Sequence, residues 1–84
     1  MSTTDPLADR ILRFLGDRYL PVQTDWIETP RIAAALHVEA ERVDARCRIL
    51  AERGLIELSA PDDENATYAA LITTKGLLAI GRVP

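Results

Sequence analysis

The stretch "LAERGLIEL", residues 50–58, predicts a helix that passes directly into a strand. Gly54 can adopt the left-handed conformation in which helices commonly end. The apolar pair Leu55 and Ile56 then begins a run with the composition of a strand. A helix followed at once by a strand is therefore the feature from which the rest of the fold is predicted.

The helix before Gly54 is predicted at about 39–53, because apolar residues recur there at helical spacing. These residues are Ala40, Val43, Cys47, Leu50 and Ala51. A shorter helix is predicted at about 30–36, with Thr29 as its N-cap and Pro30 at its first helical position. Two helices separated by a short turn form a helix-turn-helix, here at about 30–53.

A first helix is predicted at about 6–19, where apolar residues again follow helical spacing. The segment between Pro21 and Pro30 is expected to be a linker or a short edge strand. Trp26, within that segment, is interpreted as a core or strand anchor. The expected fold is therefore mainly α with a small β hairpin.

The hairpin is predicted from the strand-like runs "LIELSA" (55–60) and "TYAALITT" (67–74). The intervening "PDDEN" (61–65) contains residues that favour turns. A short helix should follow, capped by Thr73 or Thr74. Apolar side chains available for its packing are Leu77, Leu78 and Ile80.

Composition indicates one folded domain over residues 1–84. Of the residues, 48% are apolar and 27% are charged, which is typical of globular proteins. No apolar run approaches the roughly 18 residues of a membrane span, and the first residues lack the pattern of a signal peptide. A cytoplasmic protein that does not bind a membrane is expected.

Catalysis and cofactor binding are not expected. The chain has one cysteine, Cys47, and one histidine, His37, which support neither a disulfide nor a zinc site nor a histidine-based catalytic set. Cys47 is interpreted as a small packed residue, with oxidation sensing as the alternative. His37 is expected to have a surface or capping role.

The chain resembles the winged helix-turn-helix transcriptional regulators, and is similar to small phage-repressor-like winged-helix proteins of archaea. The resemblance rests on "DRILRFL", "TPRIAAAL", "LAERGLIE" and "ITTKG", in that order, and spans nearly the whole chain. It implies the order helix, strand, helix, helix, strand, strand, short helix, with the wing at about 55–73. It also implies a dimeric repressor-like protein that binds double-stranded DNA.

The resemblance further implies that the helix at 39–53 enters the major groove, with Arg42 and Arg46 as its main contacts. Arg53 lies on the same flank by helical geometry. Thr29 and Arg31 occupy the start of the preceding helix, where relatives contact phosphate. Simple capping by Thr29 and a solvated, ion-paired helix face are the competing interpretations.

Ile49 is predicted to point outward from the same helix, where it could contact a thymine methyl group or a partner protein. A lone surface apolar residue or a partly buried one is an equally good interpretation. Arg48, on the other flank, lies four residues from both Asp44 and Glu52 and is expected to be ion-paired.

Two features leave the partner open. The net charge is -3, and the predicted wing tip carries Asp62, Asp63 and Glu64, which phosphates would repel. An interaction module that binds a protein through its acidic wing and Ile49 is therefore the rival hypothesis. A homodimer could form through the first helix or the region of Leu77, Leu78 and Ile80.

Overall fold

The computed structural model describes residues 6–19, 26–59 and 68–82. Its elements follow the predicted order of helix, strand, helix, helix, hairpin and short helix. In these ranges they are α1 (Pro6–Asp17), β1 (Ile27–Glu28), α2 (Thr29–Leu36), α3 (Ala40–Glu52), β2 (Ile56–Ser59), β3 (Ala69–Ile72) and α4 (Thr74–Ala79). The architecture is mainly helical with a small antiparallel sheet.

The helix boundaries differ slightly from prediction. Helix α1 ends at Asp17, two residues early, and α3 is one residue shorter at each end. Helix α2 begins at Thr29, so Glu28 occupies the N-cap position, with extended backbone and no side-chain cap hydrogen bond. The prediction that Thr29 is the N-cap was wrong by one residue.

The three strands form an antiparallel sheet in the order β1-β3-β2. Ile27 of β1 pairs with Ala70 of β3, so the segment predicted as a linker or edge strand contributes a strand at the sheet edge. On the other side of β3, Ile56 pairs with Ile72. Because β1 leads directly into α2, the sheet holds the start of α2 in place.

The core lies between the helices and the sheet and receives apolar side chains from every element. Its fully buried members include Ile11, Leu12, Ile32, Val43, Cys47, Leu50 and Leu77. Burial of Cys47 confirms the prediction that it is a packed residue. The interpretation of Trp26 as a core residue was wrong, because it is 45% exposed; Leu78 of α4, one of the residues available for packing or for a dimer surface, is 58% exposed.

Helix α3 ends as the opening stretch of sequence predicts. Gly54 has a φ of 77°, in the left-handed region. Its N–H donates to the carbonyl oxygen of Ala51 and the N–H of Leu55 donates to that of Leu50, both at 3.0 Å. This pair of bonds closes the helix and turns the chain into β2. His37 takes the corresponding position after α2, with a φ of 57°.

Helix α4 is capped by Thr73, one of the two predicted residues. The Thr73 hydroxyl accepts a hydrogen bond from the N–H of Gly76 at 3.1 Å and donates to the carbonyl oxygen of Gly54 at 2.7 Å. One side chain thus joins the end of α3 to the start of α4. Among the described helices, none has the length and apolar character needed to cross a membrane.

Candidate nucleic-acid interface

Helix α3 presents a continuous outer surface because it is buried on one side only. Val43, Cys47 and Leu50 face the core, packed among α1, α2 and β2. The opposite side carries Glu41, Ala45, Ile49 and Glu52, all exposed. This is the orientation predicted from helical spacing, and it leaves one face of α3 accessible next to the hairpin.

Three arginines follow one flank of this surface. Arg42 and Arg53 are exposed, and Arg46 is half-buried between them. Arg42 and Arg46 are separated by one helical turn, so their like charges repel each other unless an anion lies near both. We call Arg42, Arg46 and Arg53 the arginine flank. It gathers three arginines on one flank, although residues 39–53 as a whole contain four arginines and four carboxylates.

Ile49 lies beside the arginine flank and is 37% exposed. Its orientation toward solvent is therefore confirmed, whereas its partner is not established by the structure. Together with Ala45, one turn away, it places an apolar strip along the middle of the outer surface of α3. A strip of this kind is suited to contact with methyl groups or with an apolar protein surface.

Arg48, on the other flank, is oriented by the hairpin. Its Nη2 donates to the hydroxyl oxygen of Tyr68 at 3.1 Å, and its guanidinium carbon lies 5.2 Å from the Tyr68 ring centroid. The predicted ion pairs with Asp44 and Glu52 are not formed within the described residues. Asp44 Oδ1 is buried and accepts no hydrogen bond from that part of the chain.

Thr29 is not presented at the candidate interface. Only 1% of it is exposed, and its backbone N–H donates to the carbonyl oxygen of Tyr68 at 2.9 Å. The interpretation that its side chain contacts phosphate was therefore wrong. The side chain is buried because β1 pairs with β3 and leads directly into Thr29, the first residue of α2. A structural role in joining α2 to the sheet accounts for its burial.

Arg31 is exposed, but it lines a groove formed with α1 and β1. The groove has a volume of about 490 Å³ and its described lining residues are Phe14, Asp17, Arg18, Trp26, Ile27, Arg31 and Ala35. We call it the α1–α2 groove. None of these residues belongs to α3. Arg31 therefore lines a surface different from the arginine flank.

The Cys47 thiol lies on the opposite, core-facing side of α3 and is fully buried. Burial, and secondarily the negative charge of Asp44, raises the pKa of Cys47 to about 12. A thiol held in its protonated form is a poor nucleophile and a poor metal ligand. The described residues contain no group of three or more acidic, cysteine or histidine side chains placed to hold a metal ion.

The acidic tip predicted at Asp62, Asp63 and Glu64 lies outside the described residues. The hairpin strands that lead to it are described, and β2 carries the exposed Glu57 and Ser59. The contribution of this tip to binding therefore stays a prediction from sequence.

Sequence reasoning missed the α1–α2 groove. Its residues are distributed over α1, the approach to β1 and α2, and no single motif contains them. The one available signal was Trp26, the only tryptophan in the chain, which stands in a segment without helical spacing. Large aromatic side chains are usually buried, so the sequence favours a core or strand-anchor position for it.

No protein-family model matches the chain, and no curated protein is detectably similar to it.

Proposed function

We propose that this protein is a winged helix-turn-helix transcriptional regulator that binds double-stranded DNA with α3 in the major groove. Support comes first from the arrangement of elements. Helices α2 and α3 are joined by residues 37–39 alone, and α3 leads through Gly54 into the hairpin. A helix held by one face against a compact domain can present its other face to a groove about 12 Å wide.

The observation that carries the proposal is the arginine flank. Arg42 and Arg53 are exposed on the same side of α3 as Arg46, while the side facing the core is apolar. From Glu39 to Arg53 there are four arginines and four carboxylates, so support comes from the placement of three arginines on one flank and not from a net positive charge of the segment. Arginine forks suit both phosphate oxygens and guanine edges, which makes DNA a fitting ligand.

Roles follow for the individual residues. Arg42 and Arg46 contact guanine edges or phosphates, Arg53 contacts the backbone, and Ile49 contacts a thymine methyl group. Arg31 is exposed near the start of α2 and contributes a phosphate contact only if the DNA extends past α3 to the α1–α2 groove. Thr29 has no direct role because its side chain is buried.

The test is a titration of the full chain with duplexes from its own promoter and with random duplexes, at about 50 mM and about 200 mM salt. Binding that favours the promoter and weakens steeply with salt supports a regulator with several phosphate contacts. Absence of binding at the lower salt concentration rejects the proposal for this chain.

A matched pair of variants locates the surface. The double variant Arg42→Gln, Arg46→Gln should lower promoter affinity by roughly 100-fold or more and reduce the salt slope by about 1 to 2. The control is Arg13→Gln, Arg82→Gln, which removes the same charge from two exposed arginines that pair with Asp9 and Asp17. An equal loss in both variants would mean that net charge, rather than the arginine flank, determines binding.

The second candidate is a module that binds a protein instead of DNA. It is favoured by the exposure of Ile49 and by the acidic residues of the hairpin tip. The same variants separate the two, because loss of the arginine flank would leave recognition through an acidic tip intact.

Three further properties belong to the proposal. The protein acts in the cytoplasm, performs no catalysis, and binds its operator as a homodimer. Leu77 and Ile80 are buried in the core, so of the three C-terminal apolar residues only Leu78, at 58% exposure, remains for a dimer surface. Measurement of molar mass with and without the Leu78→Ser substitution tests that surface.

A further inference from the structure

The α1–α2 groove is large enough for a small molecule. Its volume of about 490 Å³ falls within the roughly 300 to 1,000 Å³ typical of small-molecule sites. Its described lining comes from α1, β1 with the preceding Trp26, and α2. The groove shares no residue with the arginine flank of α3, so binding of a small molecule can be measured without DNA.

Two aromatic rings line the groove. Trp26 is 45% exposed although it stands directly before the buried Ile27. Trp26 lines the groove, so part of its surface is accessible to a ligand there. The other ring, Phe14, is half-buried, and the guanidinium carbon of Arg18 lies over it, 3.8 Å from the ring centroid. Arg18 therefore covers one face of Phe14, and the accessible part of Trp26 is the surface on which a planar ligand can stack.

The described lining of the groove also carries more positive than negative charge. Arg18 and Arg31 both line it, and among the described lining residues Asp17 is the one carboxylate. Asp17 already accepts a hydrogen bond from Arg82 in an ion pair. Arg31 is exposed and makes no ion pair or hydrogen bond with any described residue. The groove is therefore, after the arginine flank, a second surface of this acidic protein at which an anion can bind favourably.

We propose that the α1–α2 groove binds a planar aromatic ligand that carries a carboxylate or a phosphate. The ring lies against Trp26, and the anionic group accepts hydrogen bonds from Arg31, with Arg18 adding to the positive potential. An aromatic carboxylic acid and a mononucleotide share this chemistry. A ligand so placed would touch α1 and α2 together and stabilise their relative position.

The test uses the full chain and the indole N–H resonance of Trp26, which is unique because the chain has one tryptophan. The probes are 2-naphthoate, its neutral analogue 2-naphthamide, and adenosine 5′-monophosphate. At least one anion should shift the resonance saturably, with a Kd below about 1 mM. The amide should bind at least about tenfold more weakly. The tighter of the two anions identifies the source of the ligand.

Variants distinguish the groove from nonspecific attraction. Arg31→Gln should weaken binding of the anion about tenfold or more. Arg42→Gln, which removes an exposed arginine outside the groove, should leave it unchanged. If Arg31→Gln changes the backbone amide resonances and so disturbs the fold, Arg18→Gln is used instead. It tests the same requirement for a positive charge in the groove.

Three results would overturn the proposal. The first is no saturable shift with either anion up to about 10 mM. The second is equal binding of the amide and the carboxylate, which would indicate an apolar groove without anion recognition. The third is a loss in Arg42→Gln as large as in Arg31→Gln. None of these results bears on promoter binding, which is measured separately.

Discussion

A Cβ atom built on Gly76 would lie 2.1 Å from the carbonyl oxygen of Leu55. The first turn of α4 is therefore in direct contact with the backbone that follows the glycine stop of α3. The N–H of Thr73 donates to the same carbonyl oxygen at 3.2 Å. Helix α4 thus packs against the point at which the chain leaves α3 for the hairpin. The backbone of Gly76 lies so close to that of Leu55 that only a residue without a Cβ atom fits there.

The first prediction is that Gly76→Ala lowers the free energy of unfolding by about 3 kcal/mol, because the added methyl group collides with backbone that cannot move independently. Gly16→Ala is the control. A Cβ there would lie 2.7 Å from the terminal methyl of Ile80, which can rotate away, and 3.7 Å from the Arg82 guanidinium, which is an ordinary contact distance. With the gain in helix propensity, its effect should stay within about 1 kcal/mol. Urea denaturation measures both, and equal effects would contradict the prediction.

The second prediction concerns the Thr73 hydroxyl, which caps α4 and also bonds to Gly54. Thr73→Ala should lower the free energy of unfolding by roughly 1 to 2 kcal/mol, the usual cost of a lost cap. Thr73→Ser keeps the hydroxyl and should retain most of that stability. The prediction fails if serine and alanine are equally destabilising in thermal or urea denaturation, since the effect would then come from the methyl group.

The third prediction is a loss of stability at alkaline pH that depends on Cys47. Burial raises the pKa of its thiol from 9.0 in the unfolded chain to about 12 in the folded protein. The folded state therefore holds the proton more tightly. Its contribution to stability is complete below about pH 9 and is lost as the pH rises toward 12, by at most about 1.4 kcal/mol per pH unit.

Comparison of the wild type with Cys47→Ala isolates this contribution, because all other titrating groups are shared. Urea denaturation in the presence of a reductant, at about pH 8 and about pH 10.5, gives the difference. The wild type should lose more free energy of unfolding between the two pH values than the variant does. Parallel losses would show that Cys47 ionises equally in both states.

The fourth prediction separates thymine recognition from a structural role for Ile49. Ile49→Ala should weaken binding to a promoter duplex by about 1 kcal/mol and, because Ile49 is only 37% exposed, should also lower the free energy of unfolding by about 1 kcal/mol, which leaves the variant folded. Replacing thymines one at a time by uracil should weaken wild-type binding at one position and leave the variant unaffected there. Such coupling between a methyl group and a side chain is measured by a double-mutant cycle.

If every uracil substitution affects wild type and Ile49→Ala equally, Ile49 does not contact a thymine methyl group. Loss of affinity for a protein partner in the same variant, with DNA binding intact, would instead favour the interaction module.

The orientation of α3 was predictable because it depends on spacing within one helix. With a fixed rotation per residue, the positions of Val43, Cys47 and Leu50 determine the buried side, and Ile49 must then point outward. The helix end at Gly54 and the cap at Thr73 were predictable for a similar reason. Each is satisfied by hydrogen bonds among residues that lie close together in the chain.

The tertiary structure decided which distant residues meet. Arg48 was expected to pair with its neighbours on α3, but it contacts Tyr68, twenty residues away. Thr29 was expected at the surface, but β1 pairs with β3 and encloses it. Such outcomes depend on how helices and strands pack against one another, which local spacing does not specify.

The sequence by itself thus determined the order of the elements, the glycine stop after α3 and the outward position of Arg42 and Arg53, since short-range geometry and capping govern these features. Only the tertiary structure placed Arg31 and Trp26 in one groove and brought Gly76 against Leu55. The physical reason is that apolar burial and backbone pairing between remote segments are properties of the packed chain as a whole.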